Sequence, residues 1–210
     1  MTRLVIFCEG LTEETFCRDI LYEYFSPKEI WLTTINLRGI PSEYEVFKRI
    51  IMRKCLEESN SWVTTMVDFY GLPTSYGKPS KGNQQEKAKK LIDQFSTDIN
   101  HRRFIANVVL HEFEALLFSK PDAFLSARFD NSTVEKLTGI RNQFESPELI
   151  NDSIVNAPSK RIKAVCLNYD KVFQGTIIAK EIGLQTIRRE CPLFDSWISK
   201  LEGLSQNLGD

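Results

Sequence analysis

The sequence predicts an α/β protein with a mainly parallel central sheet and a helical C-terminal part. Three observations predict it. Apolar, strand-like runs alternate with helical patterns as far as residue 118, the order that builds a three-layer domain from βαβ units. Three of those runs end in acidic residues, at Val5-Ile6-Phe7-Cys8-Glu9-Gly10, Met66-Val67-Asp68 and His111-Glu112-Phe113-Glu114. Beyond residue 118 the strand signal fades and only short helical patterns remain. The expected division is an α/β core over residues 1–120 and a helical extension over 121–210, packed together as one compact unit.

Taken in order, Arg3–Cys8 reads as a fully buried strand. Thr12 is placed to cap a helix over Glu13–Phe25, where Phe16, Ile20, Leu21 and Tyr24 recur at helical spacing, and Pro27 ends it. Ile30–Leu37 is rich in β-branched and aromatic residues and reads as the second strand. Ser42 with Glu45 forms a capping-box pattern that opens a helix to about Glu58. Trp62–Val67 is the third strand. Phe69–Asn83, with its glycines and prolines, reads as a mobile loop. Gln84–Asp98 is a helix and Phe104–Leu110 the fourth strand, followed by a short helix at Ala115–Phe118. Further helices are expected at Ala123–Arg128, Thr133–Leu137, Ser159–Leu167, Gly175–Ile182 and Phe194–Leu201, with a polar loop over Arg141–Ala157.

The chain has 210 residues, 42% hydrophobic and 26% charged, with a formal net charge of −1. That composition argues against disorder, and a balanced charge neither requires nor excludes a nucleic-acid partner. Basic residues do cluster, at Lys78–Lys90, His101-Arg102-Arg103, Lys160-Arg161-Ile162-Lys163 and Arg188-Arg189. Five dispersed cysteines without a C-x-x-C pair read as reduced thiols. No signal-peptide pattern is visible, and no run reaches the ~18 apolar residues of a membrane span. A soluble, cytoplasmic protein is expected.

The acidic residues carry the chemistry. Carboxylates gathered at one spot repel one another unless a cation joins them, and Mg²⁺ or Mn²⁺ prefers oxygen ligands. Glu9, Asp68 and Glu114 are the candidate metal ligands, expected to meet at one edge of the sheet. Glu13 can reach the same place from the first helical turn, whereas Glu14 points about 100° away. Glu13 and Glu14 also read as ordinary first-turn charges favoured by the helix dipole. His111 can bind metal, act as a base or orient Glu114, or simply close a strand end.

These motifs resemble a known family. Val5-Ile6-Phe7-Cys8-Glu9-Gly10-Leu11-Thr12-Glu13-Glu14 looks like the opening motif of Toprim domains, which include OLD nucleases and RloB-like proteins. The ordered set is similar to bacterial family of unknown function 4276. It comprises that opening, Thr65-Met66-Val67-Asp68-Phe69-Tyr70-Gly71-Leu72-Pro73 and His111-Glu112-Phe113-Glu114-Ala115-Leu116-Leu117-Phe118. It continues through Ala157-Pro158-Ser159-Lys160-Arg161, Tyr169-Asp170-Lys171 with Gly175, and Ile182-Gly183-Leu184 through Cys191-Pro192 to Trp197. The resemblance implies a Toprim-like fold. It further implies a Mg²⁺-dependent nuclease or phosphoesterase acting on nucleic acid, and a phage-defence or mobile-element setting with an AAA- or ABC-type ATPase partner. It carries Glu9 as the catalytic or metal-binding glutamate and Asp68 as the first aspartate of a D-x-D motif. Tyr70 stands where the second aspartate belongs, so a degenerate binding or regulatory subunit is the alternative. Glu114 resembles an RloB-like glutamate that takes over the lost ligand position.

Lys171 is a candidate for offsetting charge at the reacting phosphate, and Lys160, Arg161, Lys81 and Tyr70 are candidate substrate contacts. Each of the lysines and Arg161 also reads as a solvated surface charge. Tyr76 is available for stacking if the 78–90 run clamps a strand. A homo-oligomer is compatible with the sequence. Phe194, Trp197 and Leu201 read as core.

Overall fold

The structure, a computed structural model, describes residues 1–58, 60–110, 112–150 and 156–205. The chain divides into two compact units. One comprises Met1–Leu110 with the segment from Ser199 onward, and the other His111–Ile198.

The first unit is α/β, as expected. Its strands are β1 (Thr2–Cys8), β2 (Ile30–Asn36), β3 (Ser61–Met66) and β4 (Phe104–Ile105), all parallel in the order β2-β1-β3-β4. Burial explains the sequence patterns. Strand β1 lies inside the sheet and every residue from Leu4 to Cys8 is buried, so its run is continuously apolar. Strand β2 is an edge, and Ile30 and Leu32 are buried while Trp31 and Thr33 are exposed, giving the two-residue alternation of a half-covered strand.

Strand β4 is shorter than the Phe104–Leu110 run. Thr64 and Thr65 donate their hydroxyls to the carbonyls of Ile105 and Asn107 at 2.6 and 2.5 Å. The Asn107 amide in turn donates to the Thr65 carbonyl at 3.1 Å. Side chains thus replace the regular ladder, and pairing resumes only as an isolated bridge between Asp68 and Val109.

The first helical stretch is segmented: α1 (Leu11–Phe16), a π turn (Cys17–Leu21), α2 (Tyr22–Phe25) and a 3-10 turn (Ser26–Lys28). Its cap is Gly10 rather than Thr12, with the Glu13 carboxylate accepting the Gly10 N–H at 3.1 Å. Tyr24 is half-buried, its hydroxyl donating to Glu202, and Phe25 fills the core position instead. Helix α3 (Tyr44–Glu57) starts from Glu43, so the Ser42 capping box does not form. Helix α4 (Gln84–Ile99) has a capping box of its own: Asn83 accepts the Glu86 N–H and Glu86 accepts the Asn83 N–H.

The loop between β3 and α4 is anchored where mobility was expected. Tyr76 is wholly buried, within 5.2 Å of Tyr44, 5.5 Å of Phe47 and 6.2 Å of Phe95 between ring centroids. Its hydroxyl donates to the Pro41 carbonyl at 2.9 Å. A ring enclosed in this way does not stack on nucleic acid, which corrects the reading of Tyr76.

The second unit is helical in its described residues. It contains α5 (Phe113–Leu117), a 3-10 stretch (Pro121–Ala127), α6 (Asn131–Arg141), α7 (Pro158–Val165), α8 (Phe173–Ile182) and α9 (Leu184–Glu190). Helix α10 (Pro192–Glu202) ends in the first unit. Helix α9 carries no helical period in the sequence, because only Leu184 and Ile187 mark its buried face. Phe194 and Trp197, in the second unit, and Leu201, in the first, are buried as expected.

Candidate functional site

Strand order decides where chemistry can sit. The chain leaves β1 toward β2 on one side and returns past it to β3 on the other. Adjacent loops therefore diverge at the carboxyl ends of β1 and β3, which is where open parallel sheets form ligand crevices. Glu9 directly follows β1, and Asp68 lies two positions past the end of β3. Both acids flank that switch point.

Their backbones are tightly held. The Glu9 N–H donates to the Met66 carbonyl at 3.1 Å, and the Glu9 carbonyl accepts from Gly39 at 2.9 Å. The Glu9 carboxylate accepts the Asp68 N–H at 3.0 Å, which couples the two strand ends through one side chain. Gly71 completes the fit, since a Cβ there would stand 2.8 Å from Glu9 Oε1 and 3.2 Å from Oε2. Asp68 is buried and Glu9 half-buried.

Lys78 belongs to the same neighbourhood. Its ammonium donates to the Tyr70 carbonyl at 3.1 Å and lies 5.3 Å from the centroid of the Phe69 ring. Burial pushes this lysine below its ordinary pKa, and the charge of Glu9 pulls it back up. Burial, with a smaller contribution from Glu9, raises the Tyr76 hydroxyl well above the usual phenol range.

The other expected residues fall as follows. The Glu13 carboxylate is buried at the Gly10 N–H. Glu14 accepts from the side chains of Asn36 and Thr34, as suits a residue outside the site. The Tyr70 hydroxyl accepts from Gln84 at 2.9 Å, and Lys81 is exposed. In the second unit, Lys171 pairs with the fully buried Glu114 at 3.2 Å. Burial lifts the Glu114 carboxyl above the usual range against the pull of Lys171. Lys160 is exposed near the start of α7, and Arg161 donates to the Asn156 carbonyl and lies over the Phe144 ring at 5.3 Å. His111 lies outside the described residues.

Glu9 and Asp68 are thus brought together in one unit, and Glu114 and Lys171 in the other. Among the described residues, no group of three or more His, Cys, Asp or Glu side chains is placed to hold a metal ion. Two participants were missed. The signal for Gly71 was its place just after an acidic strand end. Lys78 appeared only as one of a run of lysines.

The domain of unknown function DUF4276 matches residues 8–202. The chain belongs to this family. Its match begins at Cys8, the last residue of β1, and takes in both acidic strand ends and the whole second unit. The DUF4276 chain is also similar in structure to C-terminal regions of OLD proteins. One from Xanthomonas campestris pv. campestris, phased with iodine, is 16% identical, with 98% of this chain and 95% of that chain covered and a TM-score of 0.46. One from Burkholderia pseudomallei is 14% identical, with coverages of 99% and 98% and a TM-score of 0.47. No curated protein sequence matches the chain. Among the described residues, no helix is long and apolar enough to cross a membrane.

Proposed function

We propose that the chain is a divalent-metal-dependent nuclease or phosphoesterase of Toprim type acting on nucleic acid. The observation that carries this reading is the pair Glu9 and Asp68 at the switch point of a parallel sheet, joined through the Asp68 N–H. The residues fit a hard cation. Glu9 and Asp68 offer carboxylate oxygens, and the space left by Gly71 lets the Glu9 carboxylate lie against the loop. Mg²⁺ is commonly held by one or two carboxylates, with waters and phosphate oxygens filling its remaining positions. When bound there, Mg²⁺ or Mn²⁺ supplies positive charge for a phosphate and activates water.

The protein groups then have defined tasks. Glu9 and Asp68 hold the cation, and the N–H of residue 68 fixes the Glu9 orientation. Lys78 brings a weakly solvated positive charge beside Glu9, suited to a phosphate oxygen. In the second unit Lys160, Arg161 and Lys171 engage the phosphate backbone, with Glu114 restraining the Lys171 ammonium. An ATPase partner in a phage-defence or mobile-element system, and action in the cytoplasm, belong to the same proposal.

A second reading, a binding or regulatory subunit without chemistry, is favoured by Tyr70. Its hydroxyl is engaged by Gln84 and its carbonyl by Lys78, so it serves the loop where a second aspartate would serve a metal.

Incubation with labelled single- and double-stranded DNA and RNA, in Mg²⁺, Mn²⁺ or EDTA, separates the two. Metal-dependent cleavage that falls by about 10²-fold or more in Glu9→Gln supports hydrolysis, in line with loss of a group acting on developing charge. Absence of cleavage on every substrate, with the candidate ATPase added, supports the regulatory subunit.

A further inference from the structure

The cluster His101-Arg102-Arg103 plays no part at the Glu9–Asp68 site. It links α4 to β4 and so lies at the amino-terminal edge of the sheet, the far end of the strands from both carboxylates. A cleft of about 270 Å³ opens there, bordered by Thr2, Asn60, Trp62, Arg102, Arg103 and Leu204, all of the first unit. No residue lining it is acidic. Among the described residues, neither guanidinium has a carboxylate within ion-pair distance.

The backbone that presents the arginines is fixed. The Arg103 carbonyl accepts the Val63 N–H at 2.8 Å, and the Phe104 N–H donates to the His101 carbonyl at 2.9 Å. Trp62 sits in β3 opposite Leu4 of β1, is half-buried and borders the cleft. The side-chain amide of Asn60 supplies both a donor and an acceptor.

Two uncompensated guanidinium groups select an anion, and their forked geometry matches the oxygens of a phosphate. A tryptophan in the same lining offers a partner for a flat ring, as aromatic side chains do for nucleobases. The volume, about 270 Å³, falls just below the ~300–1,000 Å³ spanned by small-molecule sites. It therefore suits one nucleotide rather than a dinucleotide. We infer that this cleft binds a nucleoside monophosphate group, with phosphate on Arg102 and Arg103 and base against Trp62. The same chemistry is offered by a free mononucleotide and by the phosphorylated end of a strand.

Calorimetric titration of the full chain in EDTA tests this without involving a metal. AMP should bind at one site, with at least tenfold weaker binding in the Arg102→Ala/Arg103→Ala variant and several-fold weaker binding in Trp62→Leu. Lys120→Ala, in the second unit, should bind as the parent does. Far-ultraviolet circular dichroism of each variant checks that the fold is kept. A 5′-phosphorylated tetranucleotide that binds more tightly than AMP identifies the strand end as the natural occupant, and the reverse order identifies the free nucleotide. Absence of saturable AMP binding at millimolar concentration overturns the inference, as does unchanged binding in the double arginine variant. Inorganic phosphate binding as tightly as AMP overturns the role of Trp62.

Discussion

Gly71 faces a carboxylate where most loop residues face water. Adding a single methyl there forces Glu9 Oε1 away from its position, because 2.8 Å is closer than a Cβ and an oxygen approach. In the proposed nuclease Gly71→Ala should therefore weaken metal binding and cleavage, and by straining the bond from the Asp68 N–H to the Glu9 carboxylate it should cost the metal-free protein about 0.5–1.5 kcal/mol. Thermal unfolding with and without Mn²⁺ measures both. A ligand at 100 times its Kd adds about 2.7 kcal/mol to the parent protein, and most of that gain should vanish in the variant. Glu9 and Asp68 were legible from sequence because a charge at the end of a buried strand has few structural reasons to exist. The place of Glu13 was half legible: the first-turn position was evident, but its bond to the Gly10 N–H depends on the exact start of α1. Lys78 was not legible as an individual, since nothing in a run of lysines says which one curls back over Phe69.

At the scale of elements, capping decides several boundaries. The carboxylate of Glu148, in the 3-10 turn Pro147–Leu149, accepts the N–H groups of Leu193 and Phe194 at 2.9 Å each, at the start of α10. Glu148→Ala leaves those donors without their acceptor and should cost about 1–3 kcal/mol in urea unfolding. Burial raises the Glu148 carboxyl above the usual range, and the two N–H bonds only partly offset this. Its contribution to stability is therefore full below the unfolded-state carboxylate pKa and declines as pH rises through the folded-state value. The destabilisation measured for Glu148→Gln should accordingly shrink between pH 4 and pH 7.

The aromatic group that closes the β3–α4 loop is the other test at this scale. Phe95 stacks on Tyr44 at 5.4 Å and is fully buried, so Phe95→Ala should cost about 3–5 kcal/mol. Strands and long helices were legible because their apolar periodicity is strong. The anchoring of this loop was hidden, since glycines and prolines announce a turn without saying what a tyrosine inside it will meet.

For the whole molecule, cysteine burial makes a simple prediction. Cys8, Cys17, Cys55, Cys166 and Cys191 are all free and all buried. Burial pushes the Cys166 thiol up to about 12 and Cys55 up to about 11, so neither offers much thiolate. An aromatic disulfide reagent should react with almost no thiol in the native protein and with five after denaturation. Fast reaction of any one in buffer would mean that its surroundings open. The two halves of the chain differed in legibility for a physical reason. A parallel sheet writes itself as continuous apolar runs, whereas the second unit is built from helices of five to eleven residues. A helix as short as α9 has too few turns to display a period.

The π turn at Cys17–Leu21 has one more consequence. Phe16 and Phe25 are both fully buried, nine positions apart. In a regular helix, at about 100° per residue, nine steps would set them on opposite sides. The wide turn absorbs one residue and returns Phe25 to the interior. Removing a single residue between 17 and 21 should consequently leave an unbroken α-helix with both phenylalanines still inward. Chain length is negotiable at this spot, at the exposed or half-buried positions Arg18 and Asp19 rather than at the buried Cys17, Ile20 or Leu21.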